Sequence, residues 1–153
     1  MTGLIFLVAT ALATPAKTFV SRHSTPVVVA HRGASAIAPE NTLVAIREAV
    51  RLGAPAVEFD VRESSDGVLV VIHDRTLART TNGKGQVQKR SAADLRRLDA
   101  GGWFSRDFAG AGIPSLMEAL NASAPDTIAA VEVKTASPVM DKVRDALSLI
   151  HIS

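Results

Sequence analysis

Four short clusters in this sequence carry residue types that can do chemistry: His31-Arg32-Gly33, Glu58-Phe59-Asp60, His73-Asp74 and Glu132-Val133-Lys134. An imidazole can take or give a proton near neutral pH, and an adjacent guanidinium can grip an oxyanion with two donors. Residues two apart on a strand share a face, so Glu58 and Asp60 point the same way, as do Glu132 and Lys134. Two carboxylates that close repel each other unless a cation lies between them. Asp74 either orients His73 or stays in solvent. Taken singly, each cluster has an ordinary explanation: a surface His-Arg pair, an acidic strand face turned to water, an exposed ion pair that adds little stability.

Their joint placement is less ordinary. Two histidines, three carboxylates, an arginine and a lysine all fall at or near the C-terminal ends of predicted strands, where parallel α/β folds hold their active sites. The chain contains no cysteine, which excludes thiolate metal sites, disulfides and a cysteine nucleophile. Three carboxylates without thiolates suit one hard divalent cation, Mg²⁺ or Ca²⁺, and such a cation polarises a phosphoryl oxygen. Arg32 and Lys134 add positive charge of the kind an anionic substrate requires. Gly83-Lys84-Gly85 is not a P-loop, because its spacing is wrong and no Ser or Thr follows the lysine.

The elements that must position these residues follow from pattern and punctuation. Solid apolar runs at Val27–Ala30 and Val68–Ile72 suit strands buried on both faces, as in parallel sheets. The pattern predicts strands at 27–31, 56–62, 68–72 and 127–133, and helices at 42–52, 116–122 and 139–150. Leu43, Ile46, Ala49 and Val50 recur at helical spacing. Asn41 or Thr42 can cap that helix, and Gly53 stands where a C-terminal glycine belongs. Ser115 and Glu118 have capping-box spacing, and Ser137-Pro138 places an N-cap before a first-turn proline. The rhythm is that of an α/β fold with a parallel sheet. It is interrupted by a glycine-rich excursion over about 64–114, expected to form a small inserted subdomain.

Bulk properties agree with a packed domain. The 153 residues suffice for one domain, and 47% are hydrophobic against 21% charged. Mean hydropathy is +0.21. The 17 basic residues are scattered and the net charge is only +2, so no nucleic-acid stripe is present. Residues 1–20 read as a secretory signal, with an apolar stretch from Leu4 to Ala13 and small residues Ala11, Ala13 and Ala16 for cleavage, although no Lys or Arg precedes the stretch. That reading makes the protein secreted or periplasmic; otherwise it is cytoplasmic. The stretch is too short to span a bilayer, which takes about 20 residues.

With Pro39-Glu40-Asn41-Thr42 after the first cluster, Val61 after the second and Ile113-Pro114-Ser115-Leu116 before the fourth, the chain resembles the glycerophosphodiester phosphodiesterase family, in motif order and spacing from Val27 to Lys134. The resemblance implies a TIM (β/α)8 barrel of the phospholipase C-like type with an insertion after the second strand. It implies that Glu58, Asp60 and Glu132 hold the divalent metal, that His31 and His73 act as general base and general acid, and that Arg32 and Lys134 bind the phosphate. Glu40 supports the site from behind. Family members hydrolyse glycerophosphodiesters to glycerol 3-phosphate and an alcohol, by attack of the glycerol 2-hydroxyl and opening of the resulting cyclic phosphate. A sphingomyelinase D-type phospholipase shares the His, Glu-x-Asp and His layout; a non-catalytic ligand-binding member is the remaining alternative. A barrel takes about 250 residues, so residues 27–150 are expected to supply about three strands plus the insertion and to be inactive alone. Residues 148–153 are expected to be a non-native tail, which removes His151 as a site candidate.

Overall fold

The computed structural model describes residues 8–9, 26–123, 127–134, 142–143 and 145–146. Its strands are β1 (Val8–Ala9), β2 (Val29–Ala30), β3 (Ala56–Glu63), β4 (Leu69–Val71) and β5 (Ile128–Val133). The helices are α1 (Leu43–Arg51), α2 (Ala92–Arg96) and α3 (Leu116–Ser123), with single 3₁₀ turns at Val87–Lys89 and Arg106–Phe108. β3 is central. It pairs in parallel with β2 at Ala56 and Val57, and in parallel with β5 from Ala56 to Val61. β1 pairs antiparallel with β5, Val8 opposite Ala130 and Ala9 opposite Ala129.

The first six residues of β3 are all buried, and the two faces of the strand are used differently. Val57, Phe59 and Val61 enter a core with Ile46 and Ala49 of α1, Leu116, Ala119 and Leu120 of α3, and Val131 and Val133 of β5. Glu58 and Asp60 therefore occupy the opposite face, as period two requires. α1 starts where Thr42 Oγ1 accepts from the amide of Ala45. It buries Ala45, Ile46 and Ala49. α3 opens on a complete capping box: Ser115 Oγ accepts from the Glu118 amide, and Glu118 Oε2 accepts from the Ser115 amide.

Two strand expectations need correction. Of the run Val68–Ile72, Leu69–Ile72 is buried on both faces, with Val68 39% exposed, but not as a parallel strand, because β4 runs antiparallel to β3, Val61 opposite Val71 and Glu63 opposite Leu69. The five residues between them can close a hairpin but not a crossover. Alternation along the run splits it between two cores: Leu69 and Val71 join the core under α1 and α3, whereas Val70 and Ile72 join Leu77, Val87, Leu95, Ala100 and Ile113 in a second core beneath the excursion. The run Val27–Ala30 shortens to two strand residues, with Val28 72% and Val29 42% exposed; among the described residues β2 has a strand neighbour on one side, β3. Of the helix expected at 139–150, Lys142, Val143, Asp145 and Ala146 are described and are helical, with Val143 buried in the first core. Ser137-Pro138, residues 148–153 and nearly all of residues 1–20 lie outside the described residues. No described helix is long and apolar enough to cross a membrane.

Candidate active site

The turn after β2 builds one wall of the site. Arg32 and Gly33 both have positive φ, 58° and 82°, and the Arg32 amide donates to Glu58 Oε2 at 2.9 Å. Only glycine fits at position 33, where a Cβ would come within 2.6 Å of the Ala45 backbone. The tight turn delivers Arg32 to two carboxylates: Nη1 to Glu40 Oε1 at 2.9 Å, and Nε to Asp60 Oδ2 at 3.2 Å. His31 remains at the rim, its side chain 66% exposed and Nε2 3.9 Å from Glu58 Oε2.

β3 and β5 build the floor. Their register sets Asp60 directly beside Glu132 and Glu58 beside Ala130. Period two and this register together gather Glu58, Asp60 and Glu132, with one ligating oxygen from each lying within 4.8 Å of the others. The three can therefore hold a cation. Lys134, one step past β5, puts Nζ 2.6 Å from Glu132 Oε1 and 3.1 Å from Asp60 Oδ1. Burial alone would lower the Lys134 pKa, but the Glu132 and Asp60 carboxylates outweigh it and hold the ammonium charged above its usual value.

The cluster is not satisfied by its own residues. Among the described residues, Glu58 Oε1 and Asp60 Oδ1 are buried without a hydrogen-bond donor, and Arg32 Nε is buried without an acceptor. Arg32 Nε and Lys134 Nζ approach Asp60 as ion pairs. Burial, and then the charge of Asp60, push the Glu58 carboxyl up to about 7. Buried carboxylate oxygens without a donor, in a group of three acids this close, are groups that a divalent cation could satisfy.

His73 belongs to another part of the site. It follows β4, and its Nδ1 lies 2.7 Å from Asp74 Oδ1, so Asp74 orients it rather than standing in solvent. The Asp74 carboxyl is itself held by Arg79, which also grips Glu40. Arg79 and the histidine together keep Asp74 far below the usual carboxylate range, and Arg79 does the same for Glu40 to a lesser degree, with Arg32 adding to it. The backbone of His73 is fixed separately, by Arg62 Nε donating to its carbonyl at 2.7 Å. The structure brings Arg32, Lys134, Glu58, Asp60 and Glu132 into one cluster, sets His31 at its edge, and connects Glu40 to His73 through Arg79 and Asp74.

Three contributors escaped the sequence reading. Asn41, weighed only as a helix cap, clamps Asp60 instead: Nδ2 donates to Asp60 Oδ2 at 2.8 Å and Oδ1 accepts from the Asp60 amide at 3.1 Å. Its φ of 58° marked the position as special only in the structure; Asn is among the few residues that adopt it readily. Arg62 was readable as the third member of the Glu58, Asp60, Arg62 face. Arg79 follows its partner Asp74 by five residues in an irregular stretch, where that spacing declares no contact, and its other partner Glu40 is 39 residues away.

Fold and site define an α/β protein with an acidic cluster at the ends of two parallel strands. Residues 31–149 match the profile of the glycerophosphoryl diester phosphodiesterase family, and the chain belongs to that family. It is 50% identical over 91 residues to a glycerophosphodiester phosphodiesterase of Caldanaerobacter subterraneus subsp. tengcongensis, covering 60% of this chain and 37% of that protein. A crystal structure of glycerophosphodiester phosphodiesterase from Agrobacterium tumefaciens superimposes with TM-score 0.76 at 44% identity, over 82% of this chain and 54% of that one. An Oleispira antarctica phosphodiesterase in complex with the product sn-glycerol-3-phosphate gives 0.74 at 37% identity, over 82% and 51%. The chain thus spans about half the length of these solved relatives and less of the curated one.

Proposed function

We propose that these residues serve a glycerophosphodiester phosphodiesterase, a phosphoric diester hydrolase that forms sn-glycerol 3-phosphate and an alcohol with one divalent cation, Mg²⁺ or Ca²⁺. The observation that carries this reading is the convergence of Glu58, Asp60 and Glu132 within 4.8 Å, with buried oxygens of the first two unbonded, in a chain of this family. The product bound by the Oleispira antarctica relative supports the product assigned here.

Glu58, Asp60 and Glu132 would hold the cation, which when bound polarises a phosphoryl oxygen and offsets its charge. Arg32 and Lys134 complement the remaining phosphate oxygens. His31 and His73 supply the base and the acid: one takes the proton of the glycerol 2-hydroxyl as its oxygen bonds to phosphorus, and the other protonates the departing alcohol oxygen. Water then opens the cyclic phosphate with the two roles exchanged. Asp74 supports His73, and Glu40 holds Arg32 in place. The apolar N-terminal stretch suits an exported enzyme, which N-terminal sequencing of the mature protein would test.

The chain spans about half the length of its solved relatives, and the reading assigns turnover to the whole barrel. The test therefore uses a full-barrel protein carrying these residues, assayed with glycerophosphocholine and with sphingomyelin, with and without chelator. Release of glycerol 3-phosphate that stops on chelation is expected. Cleavage of sphingomyelin alone would move the assignment to the sphingomyelinase D type, and chelator-resistant turnover would remove the metal.

A further inference from the structure

Arg79 lies in the excursion, away from every strand end that bears a site residue, yet its guanidinium is fully committed to two carboxylates of the site. Nη1 donates to Glu40 Oε2 and Nη2 to Glu40 Oε1, each at 2.8 Å. Nε donates to Asp74 Oδ2 at 2.7 Å, and Nη2 also reaches Asp74 Oδ1 at 3.1 Å. A planar guanidinium forked on two carboxylates at once fixes the orientation of both. One oxygen of each carboxylate is shared between Arg79 and a site residue: Glu40 Oε1 also accepts from Arg32 Nη1 at 2.9 Å, and Asp74 Oδ1 also meets His73 Nδ1 at 2.7 Å.

We propose that Arg79 is a positioning residue for His73: through Asp74 it fixes the imidazole with its hydrogen on Nδ1, leaving Nε2 as the nitrogen that exchanges protons with substrate. An ionised carboxylate can only accept, so a neutral imidazole facing it must carry its hydrogen on the facing nitrogen. Asp74 stays ionised because the Arg79 guanidinium, and then His73, hold its carboxyl far below the usual range. Arg62 already fixes the His73 backbone, so the ring is what Asp74 is left to set. Arg79 also joins the arm that carries Arg32 to the arm that carries His73. A half-exposed ion pair contributes little to stability, which makes orientation rather than stability the expected consequence of losing it.

The kinetic part of this inference rests on the phosphodiesterase reading; the geometric part does not. In the full-barrel protein, ¹⁵N NMR of the His73 ring at a pH where it is neutral should show the Nδ1–H form, and Arg79→Met should shift it toward a mixture. On glycerophosphocholine, Arg79→Met should lower kcat by about 10- to 100-fold, the usual cost of losing a group that orients a reacting side chain, with KM and metal affinity unchanged. Arg79→Lys should recover part of kcat, because an ammonium keeps the charge but not the fork. If Arg79→Met fails to fold, Asp74→Ala should reproduce the mixture. An unchanged ring signature in Asp74→Ala, or in a folded Arg79→Met, overturns the proposal, as does a loss confined to KM or metal affinity. A parent protein that releases no glycerol 3-phosphate would sink the functional reading, while the ring signature would still decide the role of Arg79.

Discussion

The carboxylate cluster at the ends of β3 and β5 and the ion-pair network around Arg79 use the same residue types a short distance apart, in opposite electrostatic condition. In the cluster, Glu58 is 7% and Asp60 0% exposed, an oxygen of each accepts no hydrogen bond, and burial with the Asp60 charge pushes the Glu58 carboxyl up to about 7. In the network, Arg79 bridges Glu40 and Asp74 while Arg32 also pairs with Glu40, and both carboxyls are drawn below their usual values, chiefly by Arg79. The first group, three carboxylates against Arg32 and Lys134, holds more negative charge than its neighbours offset and could therefore hold a cation. The second is complete without one and is built to hold side chains still.

The largest effects should come from breaking the cluster. In the full-barrel protein, Glu58→Gln and Asp60→Asn keep the shape of the site and remove charge; each should lower turnover on the order of 10³-fold or more, the scale of a lost cation's contribution. Asp60→Asn retaining parent-like turnover would remove the contrast, because Asp60 would then be only a partner for Asn41, Arg32 and Lys134.

Next come the residues that move protons. His31→Ala and His73→Ala should each lose about 10²- to 10⁴-fold in kcat with metal binding retained, and the pH–rate profile should lose one limb in each. A histidine whose replacement leaves both rate and profile intact is structural. Loss of metal binding in His73→Ala would merge the two regions into one.

The smallest effect, and the sharpest contrast, is in the pH dependence of stability. The folded-state pKa of Glu58 stands above the ordinary 4.5, at about 7. Between those values only the folded state keeps the proton, so metal-free protein should lose stability as pH rises through that window. Glu40 and Asp74 lie below their ordinary 4.5 and 3.8; their contribution is complete above those values and is lost as pH falls through the folded-state values. Melting temperature of metal-free protein against pH should therefore decline on both sides, and Glu58→Gln should remove the neutral-side decline alone. A neutral-side decline that survives Glu58→Gln would have another origin.

The cluster was readable from sequence because strand period is local: acids at 58 and 60 within an apolar run declare a shared face before any fold is known. Their meeting with Glu132 needed only the expectation of a parallel sheet. What escaped depends on contacts that no short window contains. Asn41 serves Asp60 from 19 residues away and Arg79 serves Glu40 from 39; the Arg79–Asp74 contact spans only five residues, but in a loop without a helical or strand period that spacing predicts nothing. β4 was recognised as doubly buried but given the wrong direction, because burial on both faces follows as well from a second core, that of Leu77, Val87 and Leu95, as from a parallel sheet. α2 was missed within the excursion although Ser91 caps it by accepting from the Asp94 amide; at five residues it is too short to show a helical period.

The central claim is that Glu58, Asp60 and Glu132 hold one divalent cation, and calorimetric titration of Mg²⁺ and of Ca²⁺ into metal-free full-barrel protein tests it most directly. Binding of one ion per chain in the parent, lost in Glu58→Gln and in Asp60→Asn but kept in Arg79→Met, is the expected result. Binding that persists unchanged in Glu58→Gln and Asp60→Asn would place the ion elsewhere and contradict the account.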